Sequence, residues 1–328
     1  MRTLVLFLIF VHALAAQASQ PNGGGVRPGV LPKRWLTGGP KCMEVPDWQV
    51  HEYNPDFYIL RESGCTHYEK PFLFLLFGNE KAMLLDTGAG DAQTGREVSE
   101  VVAKWLKKNQ RAAIPLIVAH THSHGDHIAG DKQFAAMHNA AMPVTMVPLT
   151  VPGTAEFYKI SNWPQGHGEI DLGSRNIDVI PIPGHDKLSI ALYDRQTGVL
   201  FAGDSLYPGR LYVDDFPAFV ESTQRLVTFT DGKIVAHVLG NHIEESRTPY
   251  LDYPIGSLYQ PEEHVLELSR AHLLELNETL QSMHGRPVRV AMRDFSVWPV
   301  NDNVWKEMDV VRKVTEEKLR RTMWAQPQ

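Results

Sequence analysis

A dense run of metal-binding side chains constrains this chain more than any other feature. Residues 120–127 read His-Thr-His-Ser-His-Gly-Asp-His, so four histidines and a carboxylate fall within eight residues. The preceding segment, residues 114–119, is apolar and predicts a buried strand. Neutral imidazole and carboxylate are ligands that zinc takes in hydrolytic sites. A strand that ends in such a loop therefore predicts a rigid metal site with one side open to substrate.

Later segments place further metal-type side chains after apolar runs. His185 follows such a run within Pro-Gly-His, Asp204 within Ala-Gly-Asp, and His242 within Gly-Asn-His. Asp86 ends another, in Leu-Leu-Asp-Thr-Gly. Each motif alone is as consistent with an ordinary turn as with a ligand. Together they predict an α/β fold, a four-layer αββα sandwich in which two sheets pack face to face and the ligands meet along one edge.

The spacing His-x-His-x-Asp-His over residues 122–127, together with these later elements, resembles the metallo-β-lactamase superfamily. The resemblance covers roughly residues 55–245, and each metal-binding position in it holds a competent side chain. It implies the metallo-β-lactamase fold, here with a C-terminal helical extension. One departure is Asn241, which directly precedes His242 where the family usually has glycine.

The resemblance implies a centre with two Zn²⁺ ions, although iron or manganese could use the same ligands. It assigns three ligands to each ion and one to both: His122, His124 and His185; Asp126, His127 and His242; and the bridging Asp204. Asp86 would support the site without binding metal, and Asp126 is also the predicted catalytic residue. Two histidines are expected outside the ligand set: His120 as a buried neighbour of the site and His167 as an exposed loop residue.

An aspartate at the bridging position resembles glyoxalase II (hydroxyacylglutathione hydrolase) and related lactonases. This implies a hydrolase that cleaves an ester, thioester or lactone bond of a small-molecule substrate by attack of a metal-bound hydroxide. Two alternatives stay open: a β-lactamase, and a mononuclear iron oxidoreductase resembling persulfide dioxygenases. Arg210 and Tyr212 are candidate substrate contacts, with loop and strand-edge packing as the alternative. Specificity is otherwise expected in the loops 156–168 and 207–216 and in the tail.

The net charge of the chain and its N-terminal sequence indicate where the protein is located and which classes of partner are expected. A net charge of -6 and a pI near 6.2 argue against a broad basic surface for nucleic acid. The apolar stretch 4–16 precedes an Ala-Gln-Ala cleavage pattern, and it is shorter than the roughly 20 residues of a membrane span. We therefore expect export to the periplasm or medium, with no stable membrane insertion after cleavage. In an oxidising compartment Cys42 and Cys65 could form a disulfide, with two free thiols as the alternative.

The sequence predicts four regions along the chain. They are a signal peptide over 1–18, a flexible lead-in over 19–45, a metallo-β-lactamase-like catalytic domain over 46–250 and a C-terminal extension over 251–328. Within the extension, apolar residues near helical spacing predict a helix over 262–283. A stretch of mixed charge predicts a second helix over 303–321, and both are expected to pack on the core.

The N-terminal prediction can be checked directly. Expression of the full chain in a host with a secretion pathway should yield mature protein that begins near Ser19, because the Ala-x-Ala pattern ends at Ala18. Intact-mass and N-terminal peptide measurements read the result. Full-length chain that still carries Met1 in the cytosol would contradict export.

Overall fold

The computed structural model describes residues 25–36 and 45–324. The predicted signal peptide and Cys42 lie outside these residues, while Cys65 lies within them and is disulfide-bonded. In chain order the elements are β1 (Trp48–Asn54), β2 (Phe57–Glu62), β3 (Phe72–Phe77), β4 (Ala82–Leu85), α1 (Thr94–Lys108), β5 (Leu116–Ala119), α2 (Gly125–Ile128), α3 (Asp131–Ala135), β6 (Val144–Met146), α4 (Val151–Tyr158), β7 (Gly168–Asp171), β8 (Asn176–Pro181), β9 (Ile190–Asp194), β10 (Val199–Gly203), β11 (Arg210–Val213), α5 (Phe216–Phe229), β12 (His237–Gly240), β13 (Glu267–Leu268), α6 (Arg270–Ser282), β14 (Val290–Ala291), β15 (Ser296–Pro299) and α7 (Asp302–Trp324).

Two six-stranded sheets form the centre of the molecule. The first has the order β1-β2-β3-β4-β5-β6, and the second has the order β13-β12-β10-β9-β8-β7. In the first sheet β1 to β4 pair antiparallel, whereas β5 and β6 extend it in parallel. Every residue of β2 to β5 is buried, because both faces of the sheet are covered.

Three apolar clusters separate four layers. Between the sheets, Phe74 of β3 meets Phe201 of β10 with ring centroids 4.8 Å apart. On the outer face of the first sheet, Phe77 stacks on Trp105 of α1 at 4.4 Å. On the outer face of the second sheet, an apolar cluster joins its strands to α5 and α6 through residues such as Phe219. The layers therefore run helix, sheet, sheet, helix, which confirms the predicted αββα sandwich.

The first helix of the C-terminal extension is shorter than predicted. It spans Arg270–Ser282, whereas residues 267–268 of the predicted stretch 262–283 form β13, which pairs antiparallel with β12. Leu268 is buried, but as the edge of a sheet and not as part of a helix. The helix begins where the Ser269 backbone N–H donates to His272 Nδ1 at 3.0 Å. The predicted helix over 303–321 is confirmed as α7.

A small third sheet directs α7 toward the rest of the molecule. It has the order β11-β15-β14, and β15 pairs in parallel with β11. The chain leaves β15 at Pro299 and enters α7 at Asp302. None of the helices in 25–36 and 45–324 has both the length and the apolar character that crossing a bilayer requires.

A buried ion pair ties the extension to the first sheet. Arg61 of β2 donates through both terminal nitrogens to the carboxylate of Glu263, which lies 202 residues further along the chain. Both side chains are almost completely buried, and the Arg61 guanidinium also lies 4.8 Å from the centre of the Phe72 ring. The carboxylate is thus the buried counter-ion of a buried cation, and removing it alone would leave that cation uncompensated.

Substitutions of Glu263 and Arg61 test whether the buried cation depends on its buried counter-ion. Glu263→Gln should lower the free energy of unfolding by about 3–5 kcal/mol, because Arg61 keeps a buried charge without its partner. The double change Arg61→Met with Glu263→Met should cost less than Glu263→Gln alone. Denaturant unfolding measures both. Glu100→Gln, in the exposed Arg96–Glu100 pair, is the control and should change stability by less than about 0.5 kcal/mol. Equal effects of the buried and exposed changes would contradict this account.

Candidate metal centre

The predicted ligands follow strands at one edge of the sandwich. His122 and His124 lie in the loop after β5, and α2 then presents Asp126 and His127 in succession. His185 follows β8, Asp204 follows β10 directly, and His242 stands two residues after β12. Since β8, β10 and β12 run in the same direction, their carboxyl ends reach the same edge. The fold therefore brings together side chains that are up to 120 residues apart in sequence.

Close backbone approach explains the glycine before His185. Gly184 has φ +142°, and a Cβ there would come within 2.5 Å of the Phe219 Cα on α5. Only glycine fits this contact, which lets the loop turn over α5 and aim His185 at the centre.

Three histidines form the first cluster. His185 Nε2 lies 3.2 Å from His122 Nε2 and 3.0 Å from His124 Nδ1. His122 and His185 are buried, and His124 is half-buried. Each residue thus offers one nitrogen to a common point.

Two histidines and two carboxylates form the second cluster. His242 Nε2 lies 3.3 Å from His127 Nε2 and 3.3 Å from Asp126 Oδ2. Asp204 Oδ2 lies 3.5 Å from His127 Nε2 and 3.3 Å from His242 Nε2. The same Asp204 oxygen is 3.7 Å from His185 Nε2 in the first cluster. Asp204 therefore lies between the clusters, with one oxygen close to nitrogens of both.

Hydrogen bonds to the far side of each ring fix the tautomers. His185 Nδ1 lies 2.7 Å from the Tyr212 carbonyl oxygen, and His242 Nδ1 lies 2.9 Å from that of Glu69. A carbonyl only accepts, so each Nδ1 carries a proton, and each Nε2 has a lone pair for a metal ion when its ring is neutral. His127 Nδ1 likewise faces Asp86 Oδ2 at 3.2 Å. The lone pairs of these rings are therefore aimed at one another across the site.

The arrangement fits metal ions better than it fits protein alone. Zinc bound tetrahedrally at about 2.0–2.1 Å separates its ligand atoms by about 3.4 Å. The ligand atoms within each cluster all lie within 4.8 Å of one another. Asp204 Oδ1 is buried and accepts no hydrogen bond from the described residues. Converging lone pairs and an unsatisfied buried carboxylate oxygen repel one another unless a cation lies among them.

Asp86 forms hydrogen bonds with the segments that carry ligands of both clusters. It has φ +67° and is fully buried. Its carboxylate accepts hydrogen bonds from the Thr121 N–H and hydroxyl at 2.8 Å, and from Asn241 Nδ2 at 2.7 Å. Asn241 also donates to the Phe72 carbonyl at 2.6 Å. Asn241, which stands where the family usually has glycine, is thus a positioning residue that holds the turn before His242.

Protonation differs between the clusters. Burial lowers the pKa of His122 well below 6.5 and that of His185 to about 4. Burial acts in the same direction on His127 and His242, but the Asp126 and Asp204 carboxylates outweigh it and raise the pKa of both well above 6.5. At neutral pH a proton therefore competes with a metal ion in the second cluster and not in the first.

The structure corrects the prediction for Arg210. Arg210 is buried and forms ion pairs with Glu244 at 2.8 Å and Asp252 at 2.6 Å. Its guanidinium is therefore paired with residues of the protein and not directed at a substrate. Tyr212 does line the cavity, and its backbone orients His185. Because the partners of Arg210 lie 34 and 42 residues downstream, no local pattern revealed them.

The two histidines predicted outside the ligand set lie outside both clusters. His120 is buried, and its Nε2 lies 2.8 Å from Asp131 Oδ1. His167 is exposed and is located on the approach to β7. These placements agree with a packing role for His120 and a surface role for His167.

A cavity of about 320 Å³ opens over the clusters. Besides ligands and Tyr212, its walls contain residues that the sequence did not single out: Tyr68, Glu69, Trp305, Met308 and Asp309. The expected contribution of the loop 207–216 is present, whereas no residue of 156–168 lines the cavity. Burial, and then the nearby Asp126 carboxylate, raise the pKa of Glu69 to about 7. The C-terminal helix α7 thus forms one wall of the site.

Comparison with known proteins assigns the family. The sequence profile of the Metallo-beta-lactamase superfamily matches residues 72–252. This chain belongs to the metallo-β-lactamase superfamily. The match contains all seven predicted ligands and Asp86, which stand at positions 86 to 242.

Relatives narrow the class of reaction. Acyl-coenzyme A thioesterase MBLAC2 from Homo sapiens is 27% identical over 232 residues, which cover 61% of this chain and 83% of that protein. Hydroxyacylglutathione hydrolase from Erythrobacter litoralis is 29% identical over 146 residues, covering 43% of this chain and 53% of that protein. A solved metallo-β-lactamase from Pontibacter korlensis is similar over 71% of this chain and 99% of that protein, with 18% identity and a TM-score of 0.48. With its sequence relatives, the chain is a metal-dependent hydrolase, distantly related to glyoxalase II.

The difference in protonation predicts unequal pH dependence of metal binding. His185→Ala should leave the second cluster, and His242→Ala should leave the first. Between pH 8 and pH 6, zinc affinity should fall more steeply in His185→Ala, by about tenfold per pH unit for each proton displaced. The raised pKa values of His127 and His242 mean that a metal ion must displace protons from the second cluster and not from the first. Competition titrations with a chromophoric chelator measure the slopes, and equal slopes would contradict the assignment.

Proposed function

We propose that this protein is an exported dinuclear zinc hydrolase that cleaves an ester, thioester or lactone bond. The observation that carries the proposal is the position of Asp204. One of its oxygens lies 3.3–3.9 Å from nitrogens of four histidines, two from each cluster. A carboxylate shared in this way offsets the repulsion between two cations held close together.

The relatives support the class of bond. One is named as a thioesterase and the other as a hydrolase of an acylglutathione, so both names describe release of an acyl group from a thiol carrier. Two zinc ions held by these residues would lower the pKa of a bound water and polarise the substrate carbonyl. The half-buried Asp126 carboxylate lines the cavity and can orient that water and accept its proton. Tyr212, Trp305 and Met308 line the same cavity.

The second cluster favours this function over a mononuclear iron oxidoreductase. A mononuclear site of the two-histidine, one-carboxylate type needs only one set of ligands. Here His122, His124 and His185 form one group, and Asp126, His127, Asp204 and His242 form another. A complete second set supports two metals and hydrolysis.

Export rests on the apolar stretch 4–16 and on Cys65. Cys65 is disulfide-bonded, and disulfides persist in oxidising compartments outside the cytosol. Both observations support a protein that works in the periplasm or outside the cell.

A substrate panel tests the proposal. Zinc-loaded protein should hydrolyse members of a set of aryl esters, thioesters and lactones faster than β-lactams, phosphodiesters or sulfate esters. Metal content should be two zinc ions per chain. Protein that purifies with one iron per chain and consumes oxygen with a persulfide would overturn the proposal, and a β-lactam as best substrate would replace it by the β-lactamase alternative.

Asp126→Asn tests the role of the carboxylate at constant size. Turnover should fall by about 10²–10⁴-fold, because the amide cannot accept the proton that the carboxylate takes. Thermal unfolding should show a folded protein, and zinc content should be measured alongside kcat and KM. Asp231→Asn, at an aspartate that is 86% exposed, is the matched control and should leave turnover unchanged. Near-normal turnover in Asp126→Asn would be inconsistent with the mechanism.

A further inference from the structure

The cavity over the clusters has an aromatic outer wall. Trp305 of α7 lies with its ring centroid 5.9 Å from that of His124 and 6.0 Å from that of Tyr212. Tyr68 and Met308 complete this side of the cavity. The wall therefore stands beside the first cluster, where a group attached to the scissile bond would lie.

The charged side chains of this cavity are acidic. Glu69 and Asp309 line it in addition to the ligand carboxylates, and no lysine or arginine lines it within 25–36 and 45–324. The cations close to it are already paired. Arg210 donates to the Tyr212 hydroxyl at 3.1 Å and forms ion pairs with Glu244 and Asp252. Lys70 is buried and donates to the carbonyls of Tyr68 and Ser257. Lys313 pairs with Asp309 at 2.7 Å and compensates the charge of that lining carboxylate.

The acidic lining of the cavity disfavours the binding of anionic substrates. Phosphate or carboxylate groups of an acyl carrier would have to lie beside Glu69 without a guanidinium or ammonium group to pair them. A cation would instead meet aromatic faces and a carboxylate, the combination that binds quaternary ammonium groups. The carboxylates of Asp126, Asp204 and Glu69 offset the charge of the metal ions and so reduce their repulsion of such a cation.

We propose, as an extension of the proposed function, that the site prefers an ester or thioester whose group beside the metals is cationic, and that Trp305 and Glu69 determine this preference. The part of the substrate that contacts the cavity wall then has the order cationic, neutral, anionic in decreasing preference. This distinguishes the chain from relatives whose names specify coenzyme A and glutathione carriers.

Three acetyl thioesters with leaving groups of similar size test the order: acetylthiocholine, its uncharged 3,3-dimethylbutanethiol analogue, and the thioester of 3-mercaptopropionate. At pH 8, with zinc-loaded protein, kcat/KM should decrease in this order, by about tenfold from the first to the second. Glu69→Gln should reduce the ratio of the first two about tenfold, mainly through KM. Glu221→Gln, at an exposed glutamate on α5, should leave that ratio unchanged. An anionic thioester cleaved as fast as the neutral one would overturn the preference while leaving the hydrolase intact.

Binding provides a readout that does not need turnover. Calorimetry should show that choline binds the zinc-loaded protein about tenfold more tightly than its neutral isostere 3,3-dimethylbutan-1-ol. Trp305→Leu, which keeps an apolar side chain and removes the aromatic face, should abolish this difference. Equal affinity of the two compounds for the unsubstituted protein would contradict the proposed preference for a cationic group. If no thioester is hydrolysed, the proposed function fails, and the choline comparison alone decides the preference.

Discussion

The buried carboxylate of Asp86 is the constraint on which the metal centre depends. It accepts hydrogen bonds from the ligand loop through Thr121 and from the last ligand turn through Asn241, and it faces His127 Nδ1. These groups come from both sheets, so one side chain sets the distance between the two halves of the site. Because Asp86 lacks solvent contact, losing any of these partners would leave a buried charge less compensated.

The repulsion among crowded ligand side chains explains why the groups around the centre hold them rigidly. Five histidines and two carboxylates crowd one edge of the sandwich, where their lone pairs and charges would repel without a cation. The fold holds them there with backbone carbonyls behind His185 and His242, which leave neither ring free to rotate. Rigidity of this kind places ligands before a metal arrives, which reduces the reorganisation that binding requires. Burial of the sheets on both faces supplies the stability that supports it.

Much of this could be predicted from the sequence, because the information was local. Each ligand or group of ligands follows an apolar run, and residues 122–127 carry the spacing on which the family resemblance rests. The sandwich followed from apolar runs that each lead into side chains of metal-binding type, and α7 followed from the helical prediction over 303–321. The carboxyl ends of strands that run in one direction meet at one edge, so the approximate position of the site followed too.

The rest depended on contacts between distant residues. Residues 262–269 have an apolar spacing typical of a helix, but pairing of β13 with β12 and the ion pair of Glu263 with Arg61 override that local preference. Arg210 follows the Asp204 loop as a substrate contact would, yet Glu244 and Asp252 consume its charge. The position of Trp305 over the cavity depends on the pairing of β15 with β11, and no motif near residue 305 encodes that pairing.

X-ray diffraction at the zinc absorption edge, from crystals of the zinc-loaded protein, tests whether the two clusters hold a pair of metal ions. We expect two anomalous peaks about 3.5–4 Å apart, one among His122, His124 and His185 and the other beside Asp126, with Asp204 between them. A single peak, or peaks that do not lie among these side chains, would contradict it.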